Sequence, residues 1–344
     1  MIPALAVADA LRARDAEVSF ITTRDRSGTG LPSRNGYEEH SVPLRGFERR
    51  FTPRNLLVLG RALLAVPRAL WALRRARAGV VLTAGGYLAG PVAIAARLRR
   101  TPVVAMEADS RLGLANRLIA PLARTVALAW PLPGRTGSRY VVVGRPVRAA
   151  VTSATRTAGR RALGLPPEAT VVLIVGGSQG ARTLNVAAVD AFGEDPPFEV
   201  IHVTGPGQFD EVQSALARVG RHDRYRIEPY LDDLHNAIAA ADLVVSRSGG
   251  SVFELAALGR ASILVPYPFA TADHQTRNAR WLADAGAAVL LTDAECTGPQ
   301  LRSLVGALLA DRSRLDHMGK TALELAKPDA ADRVADAVMA AAEA

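Results

Sequence analysis

The sequence predicts an α/β protein built from two Rossmann-like, doubly wound halves. Short β-branched runs alternate with longer segments rich in Ala, Leu and Arg, which is typical of βαβ units around a parallel sheet. This alternation stops in a turn-rich stretch at 131–138 and then restarts. The length of 344 residues also favours two domains over one core.

The first half contains five predicted strands and four predicted helices. The helical pattern at 2–14 comes first, although a Rossmann half should open with a strand and a turn. The sequence therefore predicts that the first strand and its loop are missing from this half. The strands are expected at 18–21, 80–82, 102–105, 126–129 and 140–143, and the other helices at 55–77, 91–99 and 112–123.

The second half repeats the pattern after a hinge near 145–150. Its fully apolar segment at 170–175 predicts a buried central strand. Further strands are expected at 198–203, 225–228, 243–246 and 262–265, with a helix at 233–241. The predicted domains are 1–147 and 148–325, with a C-terminal helix at 326–344 that packs back on the first. Ligands are expected in a cleft at the carboxyl ends of both sheets.

Composition limits the classes of function. Hydrophobic residues make up 49% of the chain, which is enough for packed cores. Cys296 is the single cysteine, so we expect no disulfide framework, no cysteine-rich metal site and a reducing compartment. The net charge of +9 favours anionic partners, although general arginine enrichment on a solvated surface would give the same value.

The clearest motif is Gly176–Ala181, which joins the apolar strand to a helix. Glycine allows a ligand to approach the backbone closely, and a helix N-terminus offers free N–H groups to phosphate. Ser178 adds a hydroxyl donor. The spacing differs from the dinucleotide GxGxxG pattern, and no acidic residue suitably ends the next strand, so NAD is disfavoured. A tight strand–helix turn without a ligand is the alternative.

A second small-residue turn, Ser246–Glu254, also follows a strand. Its small residues would admit a diphosphate. Glu254, about one turn into the following helix, can accept hydrogen bonds from the two hydroxyls of a ribose. Alternatively, this carboxylate only complements the helix dipole.

A third loop, Pro266–Asn278, follows another strand and carries Asp273 and Gln275, which could bind sugar hydroxyls. We interpret His274 as structural rather than catalytic. Three such loops within about 100 residues together predict a site for a nucleotide-diphosphate sugar.

These motifs resemble the MurG family of glycosyltransferases. The resemblance includes Gly85–Pro91, Gly113–Arg117 and Gly144–Arg148 in the first half, and it covers essentially the whole chain. It implies the GT-B fold, with two Rossmann-like domains facing a cleft. It also implies transfer of N-acetylglucosamine from UDP-N-acetylglucosamine to a polyprenyl-diphosphate-linked MurNAc-pentapeptide, with inversion and without cofactor or metal.

The resemblance also implies roles for individual residues. Ser178, Gln179 and Gly180 would hold the donor diphosphate, and Leu231 would contact uracil through its backbone. Glu254 would bind the ribose and Gln275 the N-acetylglucosamine hydroxyls. The remaining implied binding residues are Arg148, Gly250, Ser251 and Val252 for the donor, and Gly85, Gly86, Tyr87, Asp109 and Asn116 in the first half.

The chain departs from the family in two places. The family has HEQN where this chain has Met106–Asp109, and only Glu107 keeps its type. The family's candidate base, a loop histidine, would lie just before Met1. An incorrect start site would account for this, and a truncated, catalytically impaired nucleotide-sugar-binding paralogue is the alternative. Asp109 and Glu107 are weak candidates for the base, so the catalytic group stays unknown.

A basic segment at 45–77 contains nine arginines and one acid, Glu48. Arg residues at 54, 61, 68 and 75 repeat every seven positions and should form one stripe beside Leu57, Leu64 and Trp71. Such a stripe suits an anionic membrane surface. It predicts a peripheral protein on the cytoplasmic face of the cell membrane. An ordinary covering helix is the alternative, and Pro67 is expected to kink or split it.

Rival functions stay open. A related transferase could act on another lipid, such as diacylglycerol, although the motifs at 85–91 and 113–117 argue against it. A nucleic-acid partner is not expected, because no aromatic stacking platform or recognition motif accompanies the charge.

Overall fold

The structure, a computed structural model, describes residues 1–23, 30–42, 54–177, 179–220 and 223–343, with only the backbone of 54–63. Ser178 lies outside the described residues, as do the side chains of Arg54, Leu57 and Arg61. The chain divides into two compact units. Unit 1 comprises Met1–Arg148 and Lys327–Ala344, and unit 2 comprises Ala149–Ala326.

The described part of unit 1 contains two separate parallel sheets. Strands β1 and β2 form one sheet, and β3-β4-β5-β6 form the other. Its elements are, in chain order, α1 (Ile2–Arg12), β1 (Ser19–Thr23), α2 (Leu31–Arg34), β2 (Glu38–Val42), α3 (Arg54–Arg75), β3 (Val81–Thr83), α4 (Ala89–Leu98), β4 (Val103–Glu107), α5 (Leu114–Ile119), β5 (Thr125–Leu128) and β6 (Tyr140–Val142).

Unit 2 has one parallel sheet in the order β12-β11-β10-β7-β8-β9. Its elements are α6 (Ala149–Thr152), α7 (Arg156–Ala162), β7 (Val171–Val175), α8 (Arg182–Phe192), β8 (Glu199–Val203), α9 (Phe209–Arg218), β9 (Tyr225–Glu228), α10 (Leu234–Ala240), β10 (Leu243–Ser246), α11 (Ser251–Ala257), β11 (Ser262–Leu264), α12 (His274–Ala283), β12 (Ala288–Leu290), α13 (Gly298–Ala310) and α14 (Arg312–Leu325).

The last helix, α15 (Ala330–Ala342), belongs to unit 1 although it ends the chain. It packs on α1 and β4 through Val334, Ala335 and Val338, which share a buried cluster with Val7 and Met106. The chain therefore starts and ends in the same unit.

Two details differ from the sequence prediction. Pro67 was expected to kink or split its helix; the helix is not split, because α3 runs from Arg54 to Arg75 with Pro67 inside it, and the kink stays a prediction. Packing of Ala65, Ala69 and Leu73 into the core holds this helix. In addition, β2 and β12 were not predicted. Both are short, and Glu38–Val42 has only two buried side chains, so the apolar signal is weak.

A buried cluster of charges stabilises the amino end of the unit 2 sheet. The Asp242 side chain, 1% exposed, accepts hydrogen bonds from the guanidinium groups of Arg156 at 2.8 Å, Arg160 at 3.0 Å and Arg312 at 2.7 Å. It also accepts one from Val171 N at 2.8 Å. These contacts join α7, β7, β10 and α14 around one carboxylate.

Candidate functional site

The candidate site of unit 2 lies at the point in its sheet where the strand order reverses. From β7 the chain adds β8 and β9 on one side, and then returns to place β10 and β11 on the other. In doubly wound sheets, ligands bind beyond the carboxyl ends of the strands at such a switch point. The three loops singled out in the sequence follow β7, β10 and β11, which are adjacent strands.

The first loop connects β7 to α8 with glycines in conformations that other residues avoid. Gly177 has φ +86° and Gly180 has φ +75°. The helix then begins at Arg182, and its N-cap, Ala181, provides no side-chain hydrogen bond. The first N–H groups of this 11-residue helix are therefore not satisfied by a capping side chain, which is the arrangement that binds phosphate.

This loop rests directly on the backbone that follows β8. A Cβ atom on Gly205 would lie 2.5 Å from both the N and Cα atoms of Gly180. A Cβ atom on Gly180 would lie 2.5 Å from Thr204 O. Two backbone segments thus touch without intervening side chains, and this contact fixes the position of the loop between β7 and α8.

A chain of buried hydrogen bonds leads from β9 to the first turn of α8. His202 is fully buried, and its Nδ1 lies 2.9 Å from Tyr225 Oη and its Nε2 2.9 Å from Asn185 Oδ1. Asn185 Nδ2 donates to Thr204 O at 2.9 Å and to Gln208 Oε1 at 2.8 Å. Its Oδ1 must therefore accept from His202 Nε2–H, and Tyr225 O–H must donate to Nδ1.

Burial determines the charge state of this chain. Desolvation lowers the pKa of His202 to about 3 and raises the pKa of Tyr225 far above its ordinary value. Both side chains are neutral near pH 7, so the hydrogen-bond directions do not change across the physiological range.

The second loop, after β10, is held by Arg247. Its guanidinium donates to Val265 O and Pro266 O, both at 3.2 Å. It also forms an ion pair with Asp293 Oδ1 at 2.5 Å, without hydrogen-bond geometry. Because Asp293 Oδ2 accepts from Thr183 Oγ1 at 3.1 Å, this pair connects the second loop to the start of α8.

The third loop, after β11, is attached to the second by polar contacts. Ser248 Oγ donates to Gln275 O at 2.9 Å, and Asn278 Nδ2 donates to Ser248 O at 3.1 Å. The side-chain oxygen Oε1 of Gln275 accepts a hydrogen bond from Tyr267 N at 3.0 Å. The side-chain NH2 group of Gln275 can therefore donate to a different partner. Ala272 and Asp273 both have left-handed φ, of +52° and +53°, a strained conformation that occurs at binding sites.

The other predicted donor residues lie around these loops. Gly250 precedes α11, whose first residue is Ser251, and Glu254 lies in its first turn. The Val252 side chain is in the core, so only its backbone is available to a ligand. Leu231 follows β9, two strands from β7.

The predicted residues of unit 1 converge beyond β3 and β4. Gly85 and Gly86 have φ of +77° and +82°. Asn116 packs against Gly85 and donates to Met106 O and Glu107 Oε2, both at 3.0 Å. Asn116 Oδ1 is buried and has no hydrogen-bond partner among the described residues. Tyr87 follows this turn directly and is half-buried.

Glu107 and Asp109 have different environments. Besides Asn116, Glu107 accepts from Gly113 N at 2.8 Å and Asp109 N at 3.1 Å, which makes it a structural acceptor. Asp109 is exposed and pairs with Arg145 at 3.4 Å. Burial and the charge of Arg145 lower the pKa of the Met1 amino group, whereas the charge of Asp109 raises it and offsets part of this shift. Arg148 lies in unit 1 and donates to Asp9 Oδ2 at 2.9 Å; its role in the donor site stays a prediction.

Four functional candidates were missed in the sequence. They are Asn185, His202, Arg247 and Asp293, and their side chains position the loops. One signal was available: a histidine inside the apolar strand Glu199–Val203 must find buried partners. No group of three metal-ligating side chains occurs among the residues that the structure describes.

Comparisons with known proteins agree with this geometry. Residues 1–128 match the family model of the glycosyltransferase family 28 N-terminal domain, and residues 171–334 match its C-terminal domain. The chain is similar along nearly its whole length to proteins named UDP-N-acetylglucosamine--N-acetylmuramyl-(pentapeptide) pyrophosphoryl-undecaprenol N-acetylglucosamine transferase. The protein from Desulforudis audaxviator is 39% identical, and the alignment covers 98% of this chain and 94% of that protein. The protein from Rubrobacter xylanophilus is also 39% identical, and the alignment covers 97% of this chain and 98% of that protein.

Solved structures share the fold. The crystal structure of Acinetobacter baumannii MurG, 28% identical, aligns with a TM-score of 0.75 over 98% of this chain and 95% of that one. A UDP-GlcNAc 2-epimerase from Neisseria meningitidis, only 14% identical, aligns with a TM-score of 0.69 over 98% and 96% and supports the fold alone. The architecture of two Rossmann-like units is that of GT-B glycosyltransferases.

Proposed function

The chain belongs to glycosyltransferase family 28, and we propose that it transfers N-acetylglucosamine from UDP-N-acetylglucosamine to undecaprenyl-pyrophosphoryl-MurNAc-pentapeptide. The observation that carries this proposal is the set of three loops at the switch point of unit 2. All three follow adjacent strands, and polar contacts hold them together. This reaction is a step of peptidoglycan synthesis.

Each part of the donor has a matching element. The diphosphate is assigned to the N-terminus of α8, where Gln179 and the uncapped start of the helix offer N–H groups, whereas Gly180 N–H already donates to Gly177 O at 2.9 Å. The ribose is assigned to Glu254, and the sugar hydroxyls to the Gln275 amide. Uracil is assigned to the backbone at Leu231, beyond β9.

The chemistry is a displacement at the anomeric carbon. The acceptor oxygen forms a bond to that carbon while the bond to the β-phosphate oxygen breaks, so the configuration inverts and UDP leaves. Negative charge grows on the diphosphate during this step, and the helix N-terminus stabilises it. The proton of the acceptor hydroxyl passes to a base that the described residues do not identify.

We assign the acceptor diphosphate to unit 1, on the turn formed by Gly85, Gly86 and Tyr87. The glycines allow a close approach to the backbone. Asn116 lies beneath this turn with an unmet acceptor, which a hydroxyl or amide donor would satisfy.

The membrane contact is assigned to the outer face of α3. Leu64 and Trp71 are 69% and 58% exposed, although the opposite face of the same helix is buried. Arg68 and Arg75 lie beside them, and the Arg75 guanidinium is 5.6 Å from the Trp71 ring centre. Apolar side chains between arginines suit the surface of an anionic bilayer. Among the described residues, no helix is long and apolar enough to cross a membrane.

Two variants test the donor assignment in a transfer assay combined with UDP titration. Gln275→Ala should weaken UDP-N-acetylglucosamine at least about tenfold and leave UDP within about twofold, since Gln275 is assigned to the sugar. Glu254→Gln should weaken both ligands to a similar degree. Glu324→Gln, at an exposed position of α14, is the control. Equal loss of UDP and UDP-sugar in Gln275→Ala would contradict the assignment.

Vesicle flotation tests the membrane assignment. Arg68→Glu combined with Arg75→Glu should reduce binding to phosphatidylglycerol-containing vesicles at least about 30-fold, because each basic residue contributes about 1 kcal/mol at an anionic surface. Arg302→Glu with Arg314→Glu, exposed on unit 2, makes the same charge change elsewhere. Equal losses in both double variants would mean that net charge, rather than α3, governs binding.

A further inference from the structure

The amino end of the unit 2 sheet carries an excess of positive charge. Three arginines, at positions 156, 160 and 312, bind the Asp242 carboxylate directly. Arg260, just before β11, donates to the carbonyl oxygen of the residue that precedes Asp242, at 3.2 Å. The charge of a second acid, Glu168, also acts on Arg160. Four guanidinium groups therefore share two carboxylates.

These guanidinium groups differ in how many of their hydrogen bonds the protein satisfies. A guanidinium group has five N–H donors, and Arg160 has an acceptor for each: Asp242 and the carbonyl oxygens of residues 166, 167, 169 and 240. Arg156 and Arg312 each donate one hydrogen bond to a residue that the structure describes, and both donate to Asp242 Oδ1. Their remaining N–H donors are available to another acceptor.

The guanidinium groups with unused donors are also the ones that face solvent. The side chains of Arg156 and Arg312 are 40% and 55% exposed, whereas that of Asp242 is 1% exposed. An anion that approaches this surface therefore meets the two guanidinium groups and not the carboxylate. Because both groups bind the same oxygen of Asp242, they lie close together, and the fork of an arginine matches the oxygens of a phosphate group.

The positive groups of this cluster act on one another despite the carboxylate between them. Burial lowers the pKa of Arg260 and the charge of Arg156 lowers it further, whereas the charge of Asp242 opposes this shift. Arg312 is also the first residue of α14, so the positive end of a 14-residue helix dipole lies beside it. A bound anion would reduce this mutual repulsion.

The cluster is separate from the three loops assigned to the donor. Those loops follow the carboxyl ends of β7, β10 and β11, whereas the arginines lie at the amino ends of the same strands. The five residues of β7 between the two places span about 16 Å. A ligand at the arginines would therefore leave the three loops free, and the inference does not depend on sugar transfer.

From these observations we propose that Arg156 and Arg312 form a second anion site in unit 2, which binds a phosphate or diphosphate group at the amino end of the sheet. The two guanidinium groups bind its oxygens, and Arg260 adds positive charge behind them. Arg160 and Asp242 hold the site in place. Soluble phosphates and the headgroups of anionic lipids present the same oxygens, and the test below distinguishes these two sources.

The first test measures protection of single arginines in the full chain. Phenylglyoxal modifies accessible guanidinium groups, and peptide mass spectrometry gives the rate at each arginine. Inorganic pyrophosphate should slow modification of Arg156 and Arg312 at least about fivefold, relative to sodium chloride at the same ionic strength. Arg218 and Arg302, exposed on α9 and α13, are the internal controls and should change less than about twofold. Equal slowing at all four arginines would overturn the proposal.

Vesicles in place of pyrophosphate identify the source of the phosphate group. Protection of Arg156 and Arg312 by phosphatidylglycerol vesicles, but not by phosphatidylcholine vesicles, would indicate an anionic lipid headgroup. Protection by pyrophosphate alone would indicate a soluble phosphate. Protection by neither pyrophosphate nor phosphatidylglycerol would overturn the proposal, and so would equal protection by the two lipids, because charge would then play no part.

A double variant tests the same site by calorimetry, with UDP-N-acetylglucosamine present in excess to fill the three loops. Arg156→Gln combined with Arg312→Gln leaves Arg160 paired with Asp242 and should weaken pyrophosphate binding at least about tenfold, because hydrogen bonds to charged groups are strong. Affinity for UDP-N-acetylglucosamine should stay within about twofold. Arg218→Gln with Arg302→Gln makes the same charge change elsewhere, and circular dichroism verifies the fold of both variants. Equal pyrophosphate affinity in the two variants would contradict the proposal.

Discussion

Both units contain parallel sheets, but among the residues that the structure describes the sheet is continuous in unit 2 and divided in unit 1. In unit 2, six strands form one sheet, and the loops at its switch point are held by backbone contact, an ion pair and a buried hydrogen-bond chain. In unit 1, the sheet is divided into two parts at the equivalent position, and a groove lies between them. Among the described strands, the loop after β7 therefore follows a strand paired on both sides, whereas the loop after β3 follows a strand paired on one side.

Removing the carboxylate of Asp242 should damage unit 2 most. Asp242→Ala leaves Arg160, only 4% exposed, without its charge partner, and unpaired buried charges cost about 3–5 kcal/mol. Urea unfolding should show this loss in unit 2. Removing an exposed pair, Arg182 with Glu211 at 3.1 Å, by Glu211→Ala should cost no more than about 1 kcal/mol. Similar losses in the two variants would show that the buried cluster does not stabilise unit 2 specifically.

The contact between Gly180 and Gly205 should be the next most sensitive feature. Gly205→Ala places a Cβ against backbone and also strains a residue at φ +88°, which together cost about 2–4 kcal/mol. We expect the affinity of Gly205→Ala for UDP, measured by calorimetry, to be at least tenfold lower. Gly207→Ala is a matched control two residues away, because a Cβ there meets nothing within 4 Å. Undiminished UDP affinity in Gly205→Ala would mean that this contact does not position the loop.

His202 should make the stability of unit 2 depend on pH. Its folded pKa of about 3 lies below the unfolded value of about 6.5, so between these values only the unfolded chain binds the proton. The free energy of unfolding should therefore fall by about 1.4 kcal/mol per pH unit between pH 6 and 4.

His202→Gln should remove this slope, whereas His317→Gln, an exposed histidine on α14, should keep it. The contribution of Asp242 falls in a separate window. Burial alone would raise the pKa of Asp242, but hydrogen bonds from Arg312 and Arg156 lower it, so its stabilisation is lost only below about pH 4. A slope unchanged by His202→Gln would contradict the neutral, buried state of His202.

The smallest effect is expected where α1 meets α15 in unit 1. Arg14 forms surface ion pairs with Asp332 at 2.9 Å and Asp336 at 3.1 Å. Arg14→Ala should cost less than about 1 kcal/mol in thermal unfolding at low salt and less still at high salt, because exposed pairs are screened. A larger loss would indicate that these charges, rather than the apolar contacts of Val334 and Val338, hold the last helix on unit 1.

Sequence patterns identified the strands of unit 2 well because buried parallel strands are continuous apolar runs. Val171–Val175 and Leu243–Ser246 are such runs, and the glycine-rich segments that follow them indicated the loops. The supports of these loops were not predictable in the same way. Arg247 and Asp293 are 46 positions apart in the chain, and only the order of the strands brings them together. The resemblance to a family implied the same ribose role for Glu254 that its place one turn into a helix had suggested, and it specified the N-acetylglucosamine hydroxyls for Gln275.

The contact between Gly180, in the loop after β7, and Gly205 has a consequence for inhibitor design. Because each missing side chain faces main chain, neither glycine can be exchanged singly for a larger residue without displacing the other segment. A compound whose affinity comes from the main-chain N–H groups of this loop would therefore contact atoms that point mutations cannot readily alter. Resistance would have to arise elsewhere, at side chains such as Gln275 that line the neighbouring loops.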